Sequence, residues 1–160
     1  MERTTRMTPE EKLATLGITL PDAPPAVANY VPWIQTGNVI MTSGQLPFVA
    51  GQIQYPGKCG DDVTVEDGYQ AACLCAINAI AQLKAAAGNL SCITKILRLE
   101  GNVHSSPGFQ GQPQVLNGAS DLFFEVFGDR GKHTRTALGI HEMPLNAAVQ
   151  LSVFAEIESE

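Results

Sequence analysis

The end of the chain alternates without a break. Val149, Leu151, Val153, Ala155 and Ile157 point one way, and Ala148, Gln150, Ser152, Phe154 and Glu156 the other. That period of two predicts a strand over residues 147–158 with one buried face. Residues 93–103 predict a second long strand, with Leu97, Leu99 and Val103 on one face and Ile96, Arg98, Glu100 and Asn102 on the other. Residues 135–140 predict a shorter one. Two apolar stretches, 30–35 and 39–45, meet across Thr36, Gly37 and Asn38 and read as a β-hairpin; 51–55 reads as a further short strand.

Helical periods separate these strands. Over residues 64–87, Tyr69, Ala72, Cys73, Ala76, Ile80 and Leu83 recur at three and four, Thr64 can cap the start, and Gly88 and Asn89 end the run. The many alanines on this segment allow close approach to a sheet. Val115, Leu122, Phe123 and Val126 mark a second helix over 113–127, after a loop over 104–112. A short helix opens at Thr8, where Pro9 suits the first helical position and Glu11 completes a capping box, and Gly17 stops it. Pro21, Pro24 and Pro25 follow. The expected organisation is an N-terminal helical extension over 1–23 and one domain over 24–160.

The order β-β-(β)-α-β-α-β-β predicts an α+β fold, a mixed sheet with two helices on one face. The other face carries Gln150, Ser152 and Phe154, with Trp33 or its neighbours nearby. Such a face is either wetted, as in many antiparallel sheets, or covered by another copy. Composition favours the second alternative: only 16% of the 160 residues are charged, against a usual ~25%.

Ten basic residues against sixteen acidic ones give a net charge of −6, which disfavours nucleic acid as a partner. No uninterrupted apolar run approaches the length of a membrane span, and the N-terminus is polar where a signal peptide would be apolar. The expected location is cytoplasmic, with no membrane partner. Cys59, Cys73, Cys75 and Cys92 lack zinc spacing and read as small apolar side chains in a reducing compartment. Neither a metal nor a cofactor is expected.

No P-loop, G-x-S-x-G or H-E-x-x-H motif is present. His104, His133 and His141 are unclustered, and a lone loop histidine such as His104 is ordinarily exposed. Arg135, opening a strand after a glycine-containing loop, offers a planar, permanently charged fork to a carboxylate. Its ordinary reading is a surface or ion-paired arginine.

Tyr30, the run Val39-Ile40-Met41-Thr42-Ser43-Gly44-Gln45-Leu46-Pro47, Asn117, Arg135 and the acidic closing strand together resemble the Rid (YjgF-like) family. Its members are reactive-intermediate deaminases, also labelled L-PSP endoribonucleases or translation inhibitors. The resemblance spans about Pro24 to Glu158. It implies a chorismate-mutase-like fold, a homotrimer with sheets packed into a central barrel, and ligand clefts between subunits. It also implies hydrolysis of small 2-imino and 2-enamino acids, such as 2-aminoacrylate, to 2-keto acids and ammonia.

By the same resemblance, Arg135 clamps a small carboxylate metabolite with help from the backbone N–H of Ala137. Gly44 lets the main chain approach the ligand, and Tyr30 and Asn117 line the cleft. Deaminating relatives carry a glutamate fifteen residues after the arginine, where this chain has Gln150. A glutamate handles a proton; a glutamine can only hydrogen-bond, so Gln150 is a catalytic candidate by holding water. The alternative is a non-catalytic protein that binds a metabolite in the same cleft. A ribonuclease finds no support in a chain of this charge with no evident histidine pair.

Overall fold

The computed structural model describes residues 6–26 and 28–159. The elements in chain order are α1 (Pro9–Thr15), β1 (Trp33–Thr36), β2 (Val39–Thr42), β3 (Phe48–Val49), β4 (Gln52–Ile53), α2 (Val65–Ala87), β5 (Ile93–His104), α3 (Gln112–Phe127), β6 (Thr134–Ile140) and β7 (Val149–Ile157). Five strands form one mixed sheet in the order β1-β2-β7-β5-β6. Only β5 and β6 run parallel, joined by the α3 crossover; β3 and β4 make a separate small hairpin.

Local chemistry accounts for the boundaries. The α1 capping box is complete: Glu11 N–H donates to Thr8 Oγ1 at 3.2 Å and Thr8 N–H to Glu11 Oε2 at 2.8 Å. Thr64 caps α2 by accepting from Asp67 N–H. Gly37, at φ 55°, and Asn38 form the two-residue turn between β1 and β2.

Both long helices lie on one face of the sheet. Helix α2 packs on the sheet with one side and flank to flank against α3 with another, so it buries Ala71, Cys75 and Ala79 as well as the predicted Ala72, Ala76, Ile80 and Leu83. It is long and apolar enough to cross a membrane by length and composition, yet its apolar side chains form the core of this domain. The predicted α3 stripe of Val115, Leu122, Phe123 and Val126 is buried. Helix α1 seats Leu13 in the core, and its Glu10 carboxylate accepts from Leu90 N–H at 2.8 Å.

The face assignment of β5 departs from simple alternation. Register shifts against β7 fall between Ile93 and Lys95 and between Ile96 and Arg98. Each inserts one residue and flips the pattern, so Ile93, Ile96, Leu99 and Val103 are buried and Leu97 is not. Of Trp33 and its neighbours, it is Ile34 that reaches the uncovered face. Trp33 pairs with the buried Thr42 and packs on the helix-covered core, while Ile34 pairs with Met41. The face away from the helices carries Ile34, Met41, Phe154, Ser152, Gln150, Leu138 and the Arg98–Glu100 ion pair. Ile34 and Leu138 there are 54% and 59% exposed.

His104 is not an exposed loop residue. It ends β5, is 1% exposed, and its Nδ1 lies 3.1 Å from the carbonyl oxygen of Gly57. Its backbone pairs on both sides, with Ala148 and with Cys59, so the strand carries the ring inward with it.

Candidate functional site

The run Thr42-Ser43-Gly44-Gln45 is a detour in the β2–β7 ladder. Met41 faces Phe154 and Gln45 bridges Leu151, so the β2 side uses one residue more than β7. Thr42 Oγ1 accepts the Val153 N–H that the detour would otherwise leave unpaired, at 3.1 Å. Ser43 Oγ donates to the carbonyl of Val31 at 2.6 Å. Gly44 is closely approached by Gln150: a Cβ there would lie 2.5 Å from Gln150 Nε2, so a larger residue would push the Gln150 amide aside. Gln150 Oε1 accepts from Asn102 Nδ2 at 3.4 Å on the neighbouring strand.

Beside the detour lies a groove of about 780 Å³. Tyr30, Pro32, Gly44, Leu46, Phe48 and Leu145 are among its walls. Leu145 and Asn146 both take positive φ, 57° each, an uncommon backbone for a leucine. Tyr30 and Gly44 therefore share one surface, with Gln150 against Gly44.

Arg135 occupies a different place. Its register partner on β5 is the buried Leu99, so its side chain leaves the sheet on the helix side. Nη1 donates to Ser120 Oγ at 3.1 Å and Nη2 to the Pro113 carbonyl at 3.4 Å. Pro113, Asn117 and Ser120 lie at i, i+4 and i+7, one stripe of α3. Ala137 follows Arg135 on the same side of β6, opposite Gly101. The structure thus places Arg135 and Ala137 on the α3-facing side of the edge strand β6, with Arg135 bonded to the α3 stripe that carries Asn117. It does not bring Tyr30, Gly44 or Gln150 to that side of β6 within the chain. The row Gln45–Leu151–Gly101–Ala137 crosses four strands, roughly 14 Å at about 4.8 Å per strand.

Two further residues stand beside Arg135: Ser120, which the sequence did not single out, and His133, which it offered only as one of three unclustered histidines. Ser120 Oγ lies 2.9 Å from His133 Nε2, and His133 Nδ1 lies 2.6 Å from the Gly131 carbonyl. Burial, and secondarily the Arg135 charge, hold the His133 pKa below its usual 6.5, against the opposing pull of the Gly131 carbonyl. The available signal was spacing: Ser120 is one helical step from Asn117, and His133 is two strand positions from Arg135.

Among the described residues, no carboxylate lies within ion-pair distance of Arg135; the pairs are Lys58–Glu142, Arg98–Glu100, Lys132–Asp129 and His141–Glu142. A half-buried guanidinium with two contacts to neutral oxygens retains donors for an anion. The four cysteines are free thiols. Burial pushes the Cys59 thiol up to about 11 and raises Cys75 further from reactivity.

The family model described as "YjgF/chorismate_mutase-like, putative endoribonuclease" matches residues 10–157. The chain belongs to this YjgF family. Protein TCP17 of Trypanosoma cruzi is 39% identical over 150 residues, 92% of each chain. A Shewanella oneidensis crystal structure described as a "putative endoribonuclease" is 44% identical, with a TM-score of 0.91 over 94% of this chain and 100% of that one. The Agrobacterium tumefaciens protein Atu1372, described as of unknown function, is 45% identical, with a TM-score of 0.88 over 94% and 92%. At 21% identity the YjgF fold alone is shared with Escherichia coli TdcF, whose crystal structure holds serine, at a TM-score of 0.61 over 85% and 94%. The α+β fold with a mixed sheet is the one this YjgF membership requires.

Proposed function

We propose that the protein is a cytoplasmic, cofactor-free homotrimer that hydrolyses small 2-imino or 2-enamino acids, of the 2-aminoacrylate type, to 2-keto acids and ammonia. The observation that carries this reading is Arg135. It is half-buried against α3, held by Ser120 and Pro113, with no carboxylate partner among the described residues. A guanidinium with unused N–H groups is matched by a ligand carboxylate, bound bidentately. Asn117 and the backbone of Ala137 adjoin it. That the related fold of TdcF holds serine, itself a small carboxylate, supports the same ligand class.

Trimer formation is supported by the sheet face without helices, where Ile34, Met41 and Phe154 form one apolar row and Leu138 stands 59% exposed at the opposite edge. Stacking three such faces gives a central barrel. It also lets a neighbouring copy present its Tyr30–Gly44 surface, with Gln150, to the Arg135 cleft. In that arrangement Gln150 holds water and Arg135 orients the substrate. The family description also names an endoribonuclease, but a net charge of −6 fits a phosphate backbone poorly.

A second reading is a binding protein without turnover. Gln150 favours it, because an amide cannot take a proton from water. The decisive measurement generates 2-aminoacrylate in situ and times its loss with and without the protein. Faster loss supports the enzyme; loss at the buffer rate, with 2-oxobutyrate still bound, supports the binder.

A further inference from the structure

We propose that Ser120 and His133 handle the proton in the Arg135 cleft, with Ser120 Oγ contacting the attacking water and His133 acting only through Ser120. This assignment rests on the deaminase reading and deepens it.

The polarity of the hydrogen-bond chain is forced by its ends. A carbonyl oxygen only accepts, so the Gly131 contact at 2.6 Å puts the proton of neutral His133 on Nδ1. Nε2 is then bare and accepts from Ser120 Oγ at 2.9 Å. A guanidinium only donates, so Arg135 Nη1 occupies one Ser120 lone pair at 3.1 Å. The second lone pair remains to take a proton from water. A hydroxyl between an arginine and a bare imidazole nitrogen is the arrangement by which a base polarises a hydroxyl.

The ring is fixed and neutral at neutral pH. Phe123 packs against it edge-on, with centroids 6.3 Å apart. Of the charged groups around it, Arg135 on β6 disfavours protonation. Lys132, next along the chain, is paired with Asp129 at 3.0 Å, and Asp121, beside Ser120 on α3, accepts from Tyr69 at 2.7 Å. Gln150 cannot substitute for this pair, since an amide carries no base.

The step balances as follows. Water oxygen bonds to C2 of the protonated imino acid, and its proton passes to Ser120 Oγ while the Ser120 proton passes to His133 Nε2. The product is the neutral carbinolamine. The proton then returns through Ser120 to the amino nitrogen, the C–N bond breaks to release ammonia, the hydroxyl proton leaves to bulk water, and the ammonia takes up a proton there. Iminium and water have become the 2-keto acid and ammonium.

The test times 2-aminoacrylate loss for wild type, Ser120→Ala, Ser120→Thr and His133→Gln from pH 5 to 8, with 2-oxobutyrate affinity read by calorimetry. Ser120→Ala and His133→Gln should each lose roughly 10²-fold in rate, within the ~10²–10⁴ of a positioned acid or base, while keto-acid affinity changes far less. The wild-type rate should fall on the acid side of pH 6.5, and that limb should vanish in His133→Gln. Ser120→Thr retains the hydroxyl and should retain the rate; this comparison decides the matter if His133→Gln fails to fold. Wild-type rates and an intact acid limb in Ser120→Ala and His133→Gln would overturn the pair and leave the deaminase standing. Wild-type loss at the buffer rate would overturn both.

Discussion

Arg135 and Gln150 leave the sheet on opposite faces. Arg135 stands opposite Leu99 and reaches α3, whereas Gln150 stands opposite Asn102 and bonds to it on the side without helices. The flip comes from register: Leu99 and Asn102 are three apart on β5, and odd separations change face. One site holding both side chains must therefore draw on two copies of the chain.

That requirement makes assembly the first prediction. Light scattering coupled to size exclusion should give about three times the 17.0 kDa chain mass at micromolar concentration. Ile34→Glu and Leu138→Glu, on the uncovered face, should shift the population towards monomer by placing like charges in an apolar contact. A monomeric wild type would remove the intersubunit cleft.

The carboxylate clamp is tested at Arg135 itself. Arg135→Lys keeps the charge and loses the fork, so it should weaken 2-oxobutyrate binding about 10-fold, and Arg135→Ala more. Calorimetry on the purified proteins reads this directly. Equal affinities across the three would take Arg135 out of the site.

The sequence made some of this legible and hid the rest for identifiable reasons. Strand β7 alternates because one face is buried throughout, so Val149, Leu151, Val153 and Ala155 were readable. Strand β5 was misread because two inserted residues reverse its faces, and nothing in the Leu97 region signals a bulge. Arg135, Asn117 and Ala137 were named as a group through resemblance, and Arg135 does bond to the α3 stripe on which Asn117 lies. Ser120 and His133 were not, because hydrogen-bond chemistry between a helix and a strand leaves no periodic trace. His104 was misplaced because a loop label says nothing of the backbone pairing that buries it.

Gly118 is where α2 and α3 touch backbone to backbone. A Cβ added there would collide with the Tyr69 carbonyl oxygen, which the helix holds in place. Gly118→Ala should destabilise by about 1–3 kcal/mol, the range for overpacking. For a chain of this size that is roughly 2–12 °C in Tm, at ~2–4 °C per kcal/mol. An unchanged melting temperature would mean that the two helices can separate without cost.

His133 links stability to pH. Its pKa is depressed by burial and by Arg135, while the unfolded chain returns it to about 6.5. Above that value it is neutral in both states and contributes nothing to the slope. As pH falls through 6.5 towards the lower folded value, the unfolded state binds the proton first, so stability declines. The wild-type Tm should therefore drop more between pH 7 and 5.5 than that of His133→Gln. Parallel curves for the two proteins would show that His133 does not titrate differently on folding.

Gln150→Glu separates the enzyme from the binder. Gln150 sits against Gly44 and accepts from Asn102 Nδ2, and a glutamate of nearly equal shape keeps that acceptor and gains a charge. If water is held at this position in the assembled cleft, a carboxylate can also take its proton. The rate of 2-aminoacrylate loss should then rise, up to the order of 10²-fold, the lower end for a positioned acid or base. The rise should survive in Ser120→Ala, because the two groups approach the water from different faces and different copies. A Gln150→Glu protein no faster than wild type, with 2-oxobutyrate affinity and trimer mass unchanged, would remove Gln150 from the water's path. Proton transfer would then rest on the Arg135 side of the cleft alone.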